Sequence, residues 1–123
     1  MDFQKIYDDA HKAGMKAGED CIPTPMTVVQ HANMADDKSA VVKQWHIPQG
    51  VCGFAWIKIR PANCSFAKWI KKNNLGRNGY DGGIDIWVHE FGQSMEMKEA
   101  YANAFAVVLE FYGIKAFSGS RMD

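Results

Sequence analysis

Apolar residues recur at helical spacing at the start of the chain. Phe3, Ile6, Tyr7, Ala10, Ala13 or Gly14, and Ala17 share one face. This predicts an amphipathic helix over 3–17 with Asp2 as its N-cap. Gly14 and Gly18 weaken its second half. Its apolar face is modest, so residues 1–20 are expected to lie at the rim of the core or to mediate self-association. Pro23-Thr24-Pro25 then imposes an extended path. Met26 to Val29 reads as a short edge strand and Asn33 to Ser39 as a polar loop. Ala40 to Ile47 alternates loosely through Val41, Val42, Trp45 and Ile47.

Pro48-Gln49-Gly50 is a turn signal. Val51 to Ile59 is the strongest strand of the first half. Its odd positions are Val51, Gly53, Ala55, Ile57 and Ile59; its even ones are Cys52, Phe54, Trp56 and Lys58, continued by Arg60. Both faces begin apolar, which predicts a central strand covered on both sides. Lys58 and Arg60 emerge at its end, and Pro61 stops it. Ser65 is the expected N-cap of a short helix with Phe66, Trp69 and Ile70 inside, Lys68, Lys71 and Lys72 outside, and Gly76 just past its end. Ile84 to Phe91 alternates again, with Ile84, Ile86 and Val88 on one face and Asp85, Trp87 and His89 on the other. Ser94 caps the longest helix, Met95 to Tyr112, striped by Met97, Tyr101, Ala104, Phe105, Val108 and Tyr112. Gly113 stops it, and Ile114 to Ser118 reads as a last strand.

The order is α-β-β-β-α-β-α-β. It predicts one α/β or α+β domain over 1–123, a mixed sheet with a βαβαβ second half, preceded by an N-terminal helix and a β-hairpin. Helices between strands imply crossovers and an at least partly parallel sheet.

Composition supports one domain with its own core: 123 residues, 47% hydrophobic, with 4 Trp, 4 Tyr and 7 Phe. No apolar run approaches the roughly 20 residues of a membrane span. MDFQKIYDDAHK has no basic start followed by an apolar stretch, so no signal peptide is expected. Cys21, Cys52 and Cys64 are odd in number and form no CxxC, which reads as three reduced thiols.

Net charge is zero, yet its layout is uneven. Residues 38–80 carry eight basic residues and no acid, whereas 1–37 and 81–123 each carry seven acids against three bases. A middle third presenting one face would make a positive patch; interleaved folding would pair the charges instead.

Three blocks, GVCGFAWIKIRPANCSFAKWIKK (50–72), GGIDIWVHEFGQSMEMKEAYANAFAVVL (82–109) and the terminal AFSGSRMD, together with PTPM (23–26), resemble a family of small proteins encoded by tailed bacteriophages and prophages. The likeness runs over roughly residues 13–123. It implies a protein working in the cytoplasm of an infected bacterium. It carries no catalytic residues across.

Candidate chemistry centres on anions. GRNGYDGG (76–83) follows a helix and precedes a strand, the reverse of a P-loop or dinucleotide loop, and no GK[ST] occurs. It reads as a connection needing positive φ, or as a backbone nest beside Arg77. Asp85 and His89 share a strand face but stand about 13 Å apart, too far to pair. A metal site or a cysteine–histidine nucleophile would need long-range help, so no catalytic residue, metal or cofactor is assigned. Arg60, Lys68, Lys71, Lys72 and Arg77 form a basic set suited to a nucleic-acid backbone. Ser118, Ser120 and Arg121 follow the last strand. Arg121 is expected either to tie the terminus to an acid or to face a ligand beside Arg60. The leading reading is a non-catalytic binder of an anionic ligand, a nucleic-acid backbone or nucleotide-like molecule. The rivals are a protein–protein module, such as an inhibitor of a host defence factor or a self-associating assembly part, meeting an acidic host protein or its own copy, and a small hydrolase with or without metal.

Overall fold

The structure, a computed structural model, describes residues 2–22, 26–31, 41–47 and 52–122. Helix α1 spans Phe3–Asp20, capped by the Asp2 carboxylate, which accepts from the Lys5 amide at 3.1 Å. Strands β1 (Met26–His31) and β2 (Val41–Ile47) pair antiparallel as a hairpin. The turn expected at Pro48-Gln49-Gly50 lies outside the described residues. Then come β3 (Gly53–Ile59), α2 (Ser65–Lys72), β4 (Arg77–Asn78), β5 (Ile84–Trp87), α3 (Met95–Phe111) and β6 (Ala116–Met122).

The last six elements form a βαββαβ unit whose sheet order is β4-β5-β3-β6. All three pairings in it are antiparallel. The single α+β domain, N-terminal helix and alternation of strands with helices are as the sequence predicts; the hairpin pairs β2 with β1 rather than with β3 across Pro48–Gly50, and the expected parallel pairing is not there. The reason is topological. Helix α3 does return the chain so that β5 and β6 run in the same direction, but β3 lies between them. Helix α2 does the same for β3 and β4, with β5 between. Two split βαβ units thus interlock, and every neighbour is antiparallel.

One face of this sheet is the core. Ala55, Ile57 and Ile59 of β3, Ile84 and Ile86 of β5 and Ala116 of β6 pack under Phe66, Ala67 and Ile70 of α2 and Tyr101, Ala102, Phe105 and Leu109 of α3. Full burial of Phe105 alone removes enough apolar surface for about 2–3 kcal/mol. The buried arc of α3 includes Lys98, Ala102, Ala106 and Leu109, broader than the expected stripe, because α3 touches both the sheet and α1. Helix α1 buries Ile6, Ala10, Gly14 and Gly18. Its glycines are contact points: a Cβ on Gly14 would stand 2.7 Å from the Tyr101 ring, and one on Gly18 would overlap Phe91. Phe3 meets Phe66, Tyr7 meets Phe105, and Trp69 joins both aromatics of α1 from α2.

Helix ends differ in detail from expectation. The cap of α2 is Cys64, whose Sγ accepts from the Ala67 amide at 3.4 Å, so Ser65 is already helical. Asn74, with φ 58°, takes the left-handed position after α2 that was expected of Gly76. Ser94 and Gly113 do terminate α3 as expected, Gly113 at φ 83°. Among the described residues no helix is long and apolar enough to cross a membrane.

Candidate functional site

The second face of the sheet is unlike the first. Alternation along β3 aims Phe54, Trp56 and Lys58 away from the helices, and none of the helical core residues belongs to this set. The register fixes their neighbours. Trp56 stands opposite Trp87 of β5 on one side and Gly119 of β6 on the other. Lys58 lies between Asp85 and Phe117, and Phe54 opposes Arg121. The sequence predicted a strand covered on both faces; instead Phe54, Trp56 and Trp87 are only half-buried.

These rings form a strip across the two central strands. The Trp56 and Trp87 centroids are 5.0 Å apart, and Phe54 meets Trp87 edge-on at 6.3 Å. Gly119 makes room for the strip, since a Cβ there would lie 2.5 Å from the Trp56 ring. Cations sit on the rings. The Arg121 guanidinium carbon is 5.4 Å from the Phe54 centroid, the Lys98 ammonium 5.6 Å from the same ring, and the Arg77 guanidinium carbon 5.8 Å from Trp87. Phe54, Arg77, Trp87, Val88, His89, Lys98 and Arg121 line one cavity of about 390 Å³. Among the described residues no acidic side chain lines it.

The far end of the face is electrostatically closed. The Lys58 ammonium lies 2.5 Å from Asp81 and 2.9 Å from Asp85, and donates to the Gly82 carbonyl at 2.6 Å. Burial pulls its pKa down, but the two carboxylates outweigh that and hold it above the ordinary lysine value. The same ammonium, hydrogen-bonded to the Asp81 carboxylate, holds that group below its usual range. Asp85 Oδ1 is buried and receives charge from Lys58 without a well-angled hydrogen bond. Gly82 and Gly83 take φ of 100° and 70°, closing the β4–β5 turn. This turn turns a carbonyl and a carboxylate towards a cation, so its contacts run against the anion nest weighed for GRNGYDGG.

The basic residues singled out in the sequence are dispersed. Arg77 and Arg121 belong to the aromatic face. Arg60, at the opposite end of β3, is 3.5 Å from Asp81. Because β6 runs antiparallel to β3, Arg121 meets Phe54 and stands about 20 Å along the strand from Arg60. Arg121 does not adjoin Arg60, and among the described residues no acidic partner is found for it. Ser118 bonds Asn103 of α3, so Ser118 and Ser120, one pleat apart, lie on the helix side of β6. Lys68, Lys71 and Lys72 are exposed on α2, across the sheet from the aromatic strip. The middle third therefore does not present one positive face; part of it pairs with Asp81 and Asp85, and Lys98 and Arg121 from the acidic last third join Arg77 instead.

The sequence reading missed Phe54, Trp56, Trp87 and Lys98. Alternation put each aromatic on a defined side of its strand, but only the β3–β5 register merges those sides into one face. Lys98 did carry a signal: it falls three and seven residues before Tyr101 and Phe105, on the buried side of α3.

No family model, curated protein or solved structure matches this chain.

Proposed function

We propose that the protein binds single-stranded nucleic acid on the open face of its four-stranded sheet, without catalysis. One observation carries this: Trp56, Trp87 and Phe54 sit side by side on the two central strands, with Arg77 over Trp87 and Arg121 over Phe54. Unpaired bases stack on aromatic faces at about 1–3 kcal/mol each, and flanking cations neutralise the backbone. Four-stranded βαββαβ sheets in RNA-recognition modules use central-strand aromatics in this way. The strand order by itself carries no function; the chemistry of this face does. A duplex offers no free base faces, so single strands are the expected ligand. The resemblance of the sequence blocks to phage proteins adds a setting to the proposal, the infected bacterial cell, where single-stranded intermediates arise.

Tryptophan fluorescence titrated with a mixed-sequence single strand tests the reading. Quenching that saturates, weakens with salt and is much weaker for the matching duplex is the expected result. Absence of binding at low salt to both DNA and RNA single strands would overturn it.

A second reading rests on a different surface. Val107 and Phe111 of α3 are 66% and 85% exposed. Such apolar exposure suits a protein partner, the protein–protein alternative. A Val107→Ser/Phe111→Ser variant that keeps every interaction of the wild type, self-association included, would remove this reading.

A further inference from the structure

The cavity beside the aromatic strip holds more positive charge than an internal phosphodiester requires. Arg77, Lys98 and Arg121 line it, beside His89. An internal phosphodiester carries one negative charge, whereas a phosphate monoester carries about 1.5 to 2 near neutral pH.

Lys98 is the informative member. It is 6% exposed, yet no carboxylate among the described residues lies within ion-pair distance. Its recorded contacts are a long hydrogen bond to the Gly53 carbonyl, 3.4 Å, and the Phe54 ring. An ammonium has three donors, and among the described residues one long bond engages it, in a place where water is scarce. Natural interiors rarely keep such a group without a partner. Its position within the cavity lining supplies a place for one to enter.

Depth separates two kinds of phosphate. Arg77 and Arg121 are exposed and stand at the rim, where a backbone running over the rings would pass. Lys98 is buried. A phosphodiester is substituted on both sides and is held at the surface by the chain that continues past it. A chain end has no such restraint.

We infer that this cavity is a subsite for a terminal phosphate monoester, with Lys98 at its base and Arg77 and Arg121 at its rim. The inference rests on the nucleic-acid reading and makes it specific: the preferred ligand is a single strand that ends in phosphate beside the strip. The same chemistry occurs in a free mononucleotide, so the test must tell the two apart.

Matched single strands with a 5′-phosphate, a 3′-phosphate or hydroxyls at both ends are titrated against the wild-type protein, alongside a mononucleotide. One phosphorylated end should bind about tenfold tighter than the hydroxyl-ended strand. The mononucleotide should bind far more weakly, since it fills the cavity but leaves the other rings bare. In Lys98→Met the ratio of phosphorylated to hydroxyl-ended affinity should fall to within about twofold, whatever the change in hydroxyl-ended affinity. The wild-type comparison stands even if that variant fails to fold. Equal affinity for all three strands overturns the terminal-phosphate subsite and leaves the nucleic-acid reading intact. A mononucleotide as tight as the phosphorylated strand overturns the chain-end ligand in favour of a nucleotide. No binding of any strand overturns both readings.

Discussion

Arg121 stands over the ring of its cross-strand partner Phe54, 5.4 Å from the centroid, with no carboxylate in reach among the described residues. The ring holds the planar guanidinium by its face and leaves its edge donors free. Arg77 has the same relation to Trp87. In the proposed complex both meet phosphates, and as exposed residues they contribute little to stability.

Arg121→Ala should weaken single-strand binding by about 1.5 kcal/mol, roughly tenfold. It should also reduce the slope of log affinity against log salt by about 0.7, the loss of one phosphate contact. Arg77→Ala should behave alike. The Lys68→Ala/Lys71→Ala/Lys72→Ala triple variant should change affinity by less than about twofold, because α2 lies on the other side of the sheet and these exposed lysines feel a distant backbone only through screened charge. Equilibrium titrations at several salt concentrations separate the two groups. A triple variant weaker than Arg121→Ala would move the binding surface to the helix layer.

The stacked pair Trp56 and Trp87 gives a second prediction. Trp87→Ala removes one platform and should cost about 1–3 kcal/mol of affinity. Gly119→Ala probes the same strip without deleting a ring, since the new methyl meets Trp56 at 2.5 Å and must tilt it. Binding should drop in Gly119→Ala while the helix-side core, on the opposite face, stays intact. Fluorescence titration together with near-ultraviolet circular dichroism reads both effects. An unaltered affinity in both variants would remove the aromatic strip from the site.

The elements of this fold were legible because each answers to local chemistry. Asp2 and Ser94 announce helix starts, Gly113 announces a stop, and the alternation at 84–89 separates Ile84 and Ile86 from Asp85 and Trp87. What stayed hidden depends on pairing between distant segments. A helix between two strands suggests that they run parallel, but it does not say whether a third strand separates them, and here β3 does. The site was partly hidden for the same reason. Arg77 and Arg121 stood out as charges; that Arg121 finds Phe54 depends on a register set across 67 residues, and that Arg77 finds Trp87 on the pairing of β4 with β5. Basic residues counted by sequence block misled, since Arg60 and Lys58 meet acids from the following block.

Helix α1 offers a test of packing. Replacing a helical glycine by alanine ordinarily gains about 1 kcal/mol. At Gly14 the added methyl would meet the Tyr101 ring at 2.7 Å. That ring is 3% exposed, and its hydroxyl is fixed by His11 Nδ1 at 2.6 Å, so it has little freedom to retreat. Overpacking of about 1–3 kcal/mol should exceed the helical gain. Gly14→Ala should therefore be destabilised by about 1–2 kcal/mol in denaturant unfolding. A net stabilisation would show that α1 is loosely docked on α3.

The Lys58 cluster sets the pH response of the sheet. Lys58 has a raised pKa, so its contribution is complete below the unfolded value of 10.5 and is lost as pH rises through the higher folded value. Asp81 has a lowered pKa, so its contribution is complete above the unfolded 3.8 and is lost as pH falls through the lower folded value. The cluster therefore stabilises the fold across the neutral range and fails at both extremes. Lys58→Met leaves the Asp85 carboxylate, 10% exposed, without its counter-ion. At pH 7 that should cost about 3 kcal/mol, far more than the loss of an exposed pair. Lys58→Met/Asp85→Leu should recover most of the loss, because the uncompensated buried charge is gone. The gap between wild type and Lys58→Met should narrow in acid, once Asp81 binds its proton and needs no cation. Denaturant melts of the three proteins from pH 3 to pH 9 measure this, and a gap that widens in acid would contradict the sign derived from Asp81.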